Sequence, residues 1–439
     1  MAGQAGEAAE PGAGSAFLSR DFRLYQTARL LVILGAEAQS VAVAWQVYKM
    51  TGSALDLGLT GLALFLPGLF FMLAAGHVAD RYDRRGIILI CYAVQAVSTL
   101  ALLWFSVSGI TRIWPIYAVL LLIGLGRAFS GPASSALLPS LVPKEHFVNA
   151  ITWGATVFQV ANIAGPAVGG LLFTLTLGGV LAGWNGAPIV YLFTFVTLVA
   201  FLILVGAMRT RPVRAVKKAF TVETMMAGFH YVWQAKLLLG SISLDLFAVL
   251  LGGATALLPI YATDILHAGP RALGLLRAMP SLGALAVSLL MIVRPIKHDA
   301  GKLMLISVVV FGGATVIFGL SHTLWISLAA LLVVGASDMV SVVVRSSILQ
   351  LATPPEMRGR VSAVNWLFIG ASNEFGEFES GLTAHWWGAV RAVVIGGVGS
   401  MVVTGCASIL FPTLRRADAL TAESLTGASL QQSVAEPAD

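Results

Sequence analysis

A short charged stretch between two long apolar runs constrains this chain more than any other feature of its sequence. The stretch covers 76–85, with the sequence GHVADRYDRR, and the apolar runs cover 54–75 and 86–108. A charged side chain at the centre of a bilayer costs about 2.5–3.5 kcal/mol or more, so these charges cannot lie within the hydrocarbon. We therefore predict two membrane-spanning helices joined by a loop at the membrane surface.

The same alternation of apolar runs and short polar loops continues along the chain. Of its 439 residues, 57% are hydrophobic and only 11% are charged, which is more apolar surface than a soluble domain could bury. The pattern predicts an all-α membrane protein with twelve transmembrane helices. They lie near 24–49, 54–77, 87–108, 114–140, 151–176, 188–208, 237–263, 272–293, 302–320, 324–350, 361–385 and 389–413.

The distribution of basic residues predicts the orientation of the chain. Most of the 27 lysines and arginines fall in loops on the side of 76–85. Only Lys49, Arg112, Arg271 and Arg391 fall on the other side. Because cytoplasmic loops are enriched in basic residues, we expect a multi-pass protein of the cell inner membrane with both termini cytoplasmic. The same asymmetry accounts for the net charge of +6 without a nucleic-acid partner.

The longest polar segment divides the chain near its midpoint. It covers 209–236 and is predicted to be a cytoplasmic linker with an amphipathic helix. On either side we expect an N-terminal six-helix bundle, 20–208, and a C-terminal one, 237–413. Residues 1–19 and 414–439 are predicted to be disordered cytoplasmic tails.

A weak internal repeat supports two related halves. The sequence VNAITW at 148–153 aligns with VSAVNW at 361–366, and Gly124 aligns with Gly335 at nearly the same offset along the chain. Repeated halves in a membrane transporter place the substrate path between them, near the middle of the bilayer.

Several ionisable residues interrupt the apolar runs and must face protein or water, and six of them are candidates for proton coupling. Asp338 and Arg345 lie seven residues apart on one helix face and are predicted to pair directly or through water. A buried ion pair is costly, so this one favours a functional or gating role over stability. The acids of helix 11 also share a face. The full set is Glu37, Arg127, Asp338, Arg345, Glu374 and Glu377.

Enzyme chemistry has little support in the sequence. Cys91 and Cys406 both lie in apolar runs, so neither a disulfide framework nor metal-ligand spacing is present. No nucleophile–base spacing or phosphate-binding loop appears either. We predict no metal and no cofactor. A membrane enzyme, or a sensor that transports nothing, ranks third among the three hypotheses for function.

The charged loop resembles the signature loop between the second and third helices of the major facilitator superfamily, although it lacks the glycine expected near Asp83 or Arg84. Gly76 would let a helix end approach its neighbour closely. Asp80 would sit at a helix N-terminus or pair with arginine and so stabilise the outward-facing state. The simpler alternative is an ordinary cytoplasmic loop. The predicted gating residues are Gly76, Asp80, Arg81, Arg84 and Arg85.

Two further stretches resemble motifs of the same superfamily. The small residues around Arg127 are similar to the arginine-bearing fourth helix linked to proton coupling. The alternative is a structural arginine bound to backbone carbonyls. Helix 5 resembles the antiporter motif of exporters and is predicted to kink, or else merely to pack closely. Its residues are Gly154, Gly165, Pro166, Gly169 and Gly170. Residues 51–55 and 350–361 resemble the branch of enterobactin exporters and macrolide efflux proteins.

The resemblance implies a monomer in the lipid bilayer that exports a small organic molecule, siderophore-like or drug-like, in exchange for protons. Two bundles would rock about a central cavity. Glu37 with Arg127 is the first candidate for proton coupling, Asp338 with Arg345 the second, and Glu374 with Glu377 the third. The candidates for substrate binding are Gln39, Trp45, Asp245, Asn365 and Asn373.

A uniporter or importer is the main alternative. It includes a metal-ion carrier that uses the acids of helices 1, 10 and 11. Arg127 and Arg345 near the cavity argue against a purely cationic substrate.

Overall fold

Helix caps and left-handed turns set the boundaries of the first helices. The computed structural model describes residues 15–175, 186–209, 222–294, 296 and 298–417. The Ser19 hydroxyl accepts a hydrogen bond from the Phe22 N–H and begins the first helix, which ends at Gly52 with φ 61°. Ser53 caps the next helix in the same way. These helices are α1 (Arg20–Thr51), α2 (Ala54–Arg81), α3 (Arg84–Val107), α4 (Trp114–Leu137), α5 (Phe147–Leu172) and α6 (Ala187–Gly206).

The second part of the chain repeats this plan after one short amphipathic helix. Within the described ranges all regular structure is helical, which confirms the all-α prediction. The helices are α7 (Val222–Gln234), α8 (Lys236–Leu251), α9 (Gly269–Val293), α10 (Ala300–Leu320), α11 (Leu324–Leu351), α12 (Pro355–Trp387), α13 (Ala389–Leu410) and α14 (Pro412–Arg415). Among the residues that the structure describes, eleven spans are long and apolar enough to cross a membrane. The acids of α12 exclude it from that set, but it has the length of a twelfth span.

The predicted seventh helix, 237–263, corresponds to one candidate span, Lys236–Ile265, but it is not a continuous α-helix. It is interrupted at Gly252 and Gly253, after which a 3-10 segment, a short α-helical segment and a π-helical segment continue to Ile265. A Cβ on Gly253 would lie 2.7 Å from the backbone of Gly376 in α12. Glycine here permits two backbones to touch, at the expense of helix continuity.

Both predicted tails are partly packed against the bundle, which corrects the boundaries at 19 and 414. The Ala16 N–H donates to Asn149 Oδ1 at 3.2 Å. Near the other end, the Gly301 N–H donates to the Ala417 carbonyl at 2.9 Å. The remainder of the two tails, and residues 210–221 of the linker, lie outside the described residues.

The helices pair in the same way in both halves, as the internal repeat predicted. In the first half, α1 packs against α5 and α6, α4 packs against α2 and α3, and α3 packs against α6. In the second half, α8 packs against α12 and α13, α11 packs against α9 and α10, and α10 packs against α13. The halves meet mainly where α5 crosses α9 and where α2 crosses α12.

These crossings are close at one end of the bundle and open at the other. We call the end with the α2–α3 turn the basic face and the other end the opposite face. Towards the opposite face, a Cβ on Gly381 of α12 would lie 2.9 Å from Gly58 Cα of α2. Towards the basic face, no described atom beyond the helix itself lies within 4 Å of a Cβ placed on Gly68 or Gly76. The halves therefore converge at the opposite face and diverge at the basic face.

Candidate transport cavity

A central cavity of about 200 Å³ lies between the two halves. Its wall combines acids with guanidinium groups, all contributed by membrane-spanning helices. Glu37 comes from α1, Arg127 from α4, Arg277 from α9, and Glu374 and Glu377 from α12. Charges at this depth are tolerable only around water or other charges. The cavity therefore offers both cationic and anionic groups to a solute.

The acids of α12 are held within a set of opposing charges. Glu374 lies within electrostatic range of Glu377, Arg127 and Arg277. The Thr255 hydroxyl donates to Glu377 Oε1 at 3.3 Å, so the interrupted segment after α8 fixes this carboxylate. The two arginines come from different halves, and the cavity charge balance therefore depends on both halves being in place.

Arg277 is the cavity residue that sequence reasoning did not assign to the site. The sequence did contain a feature that could have identified it, because Arg277 is an arginine within an apolar run. Its position along α9 could not by itself indicate which helix face meets the other half. The structure places it in the wall of the same cavity as Arg127, which was among the predicted site residues.

A second polar pocket extends from the central cavity into the first half. It also has a volume of about 200 Å³ and shares Glu37, Gln39 and Arg127 with the central cavity. The Thr99 hydroxyl donates to Gln39 Oε1 at 2.9 Å. A Cβ on Gly165 would lie 2.5 Å from Glu37 Cβ, so α5 supports the helix segment that bears this acid. Glu37 and Arg127 thus line the same two cavities, and their role in proton coupling stays a prediction.

A third cavity, of about 260 Å³, lies within the second half. Its wall includes Asp245, Asp338 and Arg345. The Arg345 side chain is only 3% exposed, and its Nη1 lies 2.7 Å from Asp245 Oδ2. The same Nη1 donates to Asn365 Oδ1 at 3.4 Å. The predicted direct pair between Asp338 and Arg345 is therefore corrected, because Asp245 of α8 is the direct partner of Arg345, whereas pairing of Asp338 through water stays a prediction.

The second-half cavity also revises three predicted substrate ligands. Asp245 and Asn365 are engaged with Arg345, so they belong to a buried polar network. Asn373 lines the wall of the same cavity. A substrate in the central cavity would therefore not contact these residues directly, because the wall between the cavities separates them.

Trp45 lies away from the central cavity. It lines a separate pocket near the end of α1, together with Lys49 and Phe173. Its ring packs edge-on against Phe173, with centroids 5.9 Å apart, and the Lys49 ammonium lies 5.3 Å from the ring. The structure therefore assigns Trp45 to packing at the opposite face, while Gln39 does line the central cavity.

The predicted gating loop is organised by a residue that was not in the predicted set. Asp83 caps α3 by accepting hydrogen bonds from the Arg85 and Gly86 N–H groups at 3.3 and 3.1 Å. The Arg85 side chain donates to the Gly206 carbonyl at the end of α6. Arg81 is the last residue of α2, and Arg84 is the first of α3. The side chain of Asp80 lies outside the described residues.

Gly76 makes no close helix contact in this conformation, so the expected close approach is wrong here. No described atom beyond its own helix lies within 4 Å of a Cβ placed on it. The reason is its location on the diverging side of the bundle.

The glycines of α5 do make close contacts: a Cβ on Gly169 would lie 2.8 Å from Ala38 Cα, and one on Gly170 would lie 3.0 Å from Gly274 Cα. Pro166 lies within the same continuous helix. Farther along α5, a Cβ on Gly154 would lie 3.0 Å from an Arg29 guanidinium nitrogen.

Residues 13–437 match the model of a family described as transmembrane secretion effector, within the major facilitator superfamily. The chain belongs to this family. Its members are transporters and not enzymes, in agreement with the sequence prediction. Among curated proteins, the enterobactin exporter EntS of Citrobacter koseri is 27% identical over 387 residues, which cover 87% of this chain and 86% of the relative. EntS of Escherichia coli HS has the same identity and coverage.

Solved structures of major facilitator transporters share the fold. A bacterial homologue of the human lysosomal transporter Spinster, inward-facing and unoccupied, has a TM-score of 0.68 at 14% identity and covers 93% of this chain and 98% of that chain. A bacterial homologue of the iron transporter ferroportin, inward-facing, has a TM-score of 0.67 at 14% identity and covers 90% and 98%. These structures confirm the twelve-helix, two-bundle architecture of the chain. The family match and the EntS relatives support a secondary transporter of small molecules.

Proposed function

We propose that this protein exports a siderophore-like organic molecule across the inner membrane by proton-coupled alternating access. The observation that carries the proposal is the central cavity, where Arg127 and Arg277 from opposite halves lie with three acids. Two guanidinium groups suit carboxylate or phenolate oxygens on the solute. Hydrogen bonds between charged groups are stronger than those between neutral groups, so an anionic solute would bind better than a neutral one. The similarity to enterobactin exporters supports outward transport and a solute of this class.

The distribution of basic residues supports a cytoplasmic basic face and two cytoplasmic termini. In that orientation the halves diverge towards the cytoplasm, so the conformation is the one that would admit a solute for export. Export then requires the α5–α9 and α2–α12 crossings to separate while the basic face closes. The α2–α3 loop, with Arg81, Arg84 and Arg85, is the segment proposed to hold the basic face closed.

Glu37 is the acid proposed to take up the proton. It lines both the central cavity and the first-half pocket, as Arg127 does. As a carboxylate, Glu37 would accept hydrogen bonds from solute O–H or N–H groups while Arg127 pairs with solute oxygens. A proton bound to Glu37 from the opposite face would remove that acceptor and weaken solute binding, so proton and solute would occupy the site in turn. Proton movement and solute release are thereby linked through one pair of residues.

A metal-ion carrier has less support than an organic-molecule exporter. In the part of the chain that the structure describes, no three His, Cys, Asp or Glu side chains are grouped to hold a metal ion. Two arginines in the central cavity also oppose a bare cation by like-charge repulsion. Competition by a divalent metal for transport of the organic solute would reverse this ranking.

The test is transport of enterobactin into everted membrane vesicles with and without an imposed pH gradient. Wild type should accumulate enterobactin when the gradient is present, and Glu37→Gln should not, at equal protein level. Glu379→Gln is the matched control, because Glu379 lies on α12 but lines none of the cavities described above. Full gradient-driven transport by Glu37→Gln would remove Glu37 from the mechanism. Equal uptake with and without the gradient in wild type would reject proton coupling altogether.

A further inference from the structure

The central cavity and the second-half cavity share a single side chain. Glu377 is the one residue that lines both among the described residues. On one side it faces Glu37, Arg127, Arg277 and Glu374. On the other side it faces the cavity that contains Asp245, Asp338 and Arg345. A titratable residue in a wall between two polar cavities can exchange a proton with either of them.

The position of Glu377 is fixed by uncharged contacts from both halves. The Thr255 hydroxyl donates to one carboxylate oxygen at 3.3 Å. The other oxygen faces α2, where a Cβ on Gly61 would lie 2.7 Å from it. Glycine at position 61 therefore leaves room for the carboxylate at the boundary between the halves. When α2 and α12 move apart at this crossing, Glu377 loses that neighbour.

The second-half cavity can accept a proton but lacks a balanced set of charges. Arg345 is paired with Asp245, and Asp338 lies within electrostatic range of both. Two acids therefore share one guanidinium. Arg345 Nε is buried and has no hydrogen-bond partner among the described residues, so the cluster has a donor unused by protein atoms. A cavity of about 260 Å³ with such groups is large and polar enough to hold bridging water.

We propose that Glu377 couples transport to proton movement by passing a proton between the central cavity and Asp338. This inference rests on the proposed function and assigns a specific role in it to the second half of the protein. A proton leaves the Glu377 carboxyl group, travels through cavity water and binds the Asp338 carboxylate. Glu377 becomes negative as Asp338 becomes neutral, so the total charge is unchanged. The neutral Asp338 then leaves Asp245 as the sole carboxylate opposing Arg345.

The consequence is a division of labour between the halves. Glu37 and the two arginines meet the solute in the central cavity, whereas the buried cluster stores the proton in the second half. Movement at the α2–α12 crossing changes the contact of Glu377 with Gly61 and thereby determines which cavity the carboxyl group can reach. Proton transfer is thus tied to the same crossing that opens the opposite face.

The test compares two activities of purified full-length protein in proteoliposomes. One is enterobactin-dependent proton flux, reported by a pH-sensitive dye trapped inside. The other is enterobactin counterflow, which exchanges solute for solute without net proton movement. For Glu377→Gln, we expect the ratio of proton flux to counterflow to fall at least about tenfold, the change that corresponds to about 1.4 kcal/mol of lost coupling. Glu377→Asp should keep part of the ratio, and Glu379→Gln should keep all of it.

The outcomes separate this inference from the proposed function. A normal ratio in Glu377→Gln, with gradient-driven transport in wild type, overturns the role of Glu377 and leaves the proposed function intact. An equal loss of flux and counterflow also overturns it, because the residue would then serve binding or structure. Absence of proton flux in wild type overturns both. If Glu377→Gln does not yield folded protein, Asp338→Asn decides in the same way, since it removes the proton acceptor.

Discussion

Arg345 pairs with Asp245 across two helices, with 2.7 Å between Nη1 and Oδ2, although Asp338 lies on the same helix as the arginine. Seven residues along a helix rise about 10 Å, so Asp338 cannot match the approach of a residue that faces Arg345 from α8. Both partners are almost fully buried, at 3% and 5% exposed. The pair joins α8 to α11 and sets the charge of the second-half cavity.

Breaking the buried pair should be more damaging than removing it as a unit. Arg345→Met leaves the Asp245 carboxylate buried without its partner, which typically costs about 3–5 kcal/mol. Adding Asp245→Asn removes that charge too, so the double variant should melt at a higher temperature than Arg345→Met. Thermal unfolding of detergent-purified protein measures the effect. The exposed pair of Lys302 and Asp299 provides the control, since Asp299→Asn should change stability by less than about 1 kcal/mol. A double variant that melts no higher than Arg345→Met would contradict the prediction.

Adding bulk at the α5–α9 crossing should prevent closure of the opposite face. A Cβ on Gly274 would lie 2.9 Å from Gly170 Cα, so Gly274→Val forces the two backbones apart. Overpacking costs about 1–3 kcal/mol, which corresponds to a population shift of roughly 5- to 150-fold. Ser40→Cys, placed in the central cavity of a protein without its native cysteines, reports access by its rate of labelling from the basic face.

In Gly274→Val, that labelling rate should fall, because closure of the basic face becomes favoured. Gly405→Val is the matched control, since it introduces the same side chain into α13, outside the two crossings, where no described atom beyond the helix lies within 4 Å. Equal labelling rates in the two variants would mean that the crossing does not control access.

Loss of Arg277 should weaken binding of an anionic solute. Hydrogen bonds to charged groups contribute about 1.5–3 kcal/mol, so Arg277→Ala should raise the dissociation constant of enterobactin roughly 10- to 100-fold. Arg277→Lys should recover part of the affinity, because it retains the charge but not the planar fork. Arg391→Ala, on α13 and outside the cavities described above, is the control. Binding can be measured by tryptophan fluorescence. Unchanged affinity in Arg277→Ala would place the solute elsewhere.

The Tyr48 hydroxyl donates to the Asp264 carboxylate and joins the two halves at the opposite face. Tyr48→Phe removes this bond, worth about 1.5–3 kcal/mol where one partner is charged, and should increase labelling of the Ser40→Cys reporter from the opposite face. Tyr117→Phe is the matched control. Tyr117 makes the same kind of bond to Asp56 Oδ1 at 2.7 Å, but both residues belong to the first half. A similar increase in both variants would attribute the effect to general loosening.

The order of residues along the chain is enough to identify the membrane-crossing segments and the polar residues within them. The bilayer penalises each buried charge locally, so Glu37, Arg127 and Asp338 could be identified as candidate functional residues from their own surroundings in the chain. The same local penalty identified the acids of α12. The repeat between the halves also predicted the repeated helix pairing.

Only the tertiary structure decided which of these residues meet. Helix periodicity fixes the face of a residue relative to its own helix, but the rotation of that helix depends on its packing against others. For this reason the sequence paired Arg345 with Asp338, placed Trp45 at the substrate, and left Arg277 unassigned. Packing of α8 against α11 supplied Asp245, and the interruption at Gly252–Gly253 brought Thr255 to Glu377. The divergence of the halves, which leaves Gly76 without a neighbour, is likewise a property of the assembled bundle.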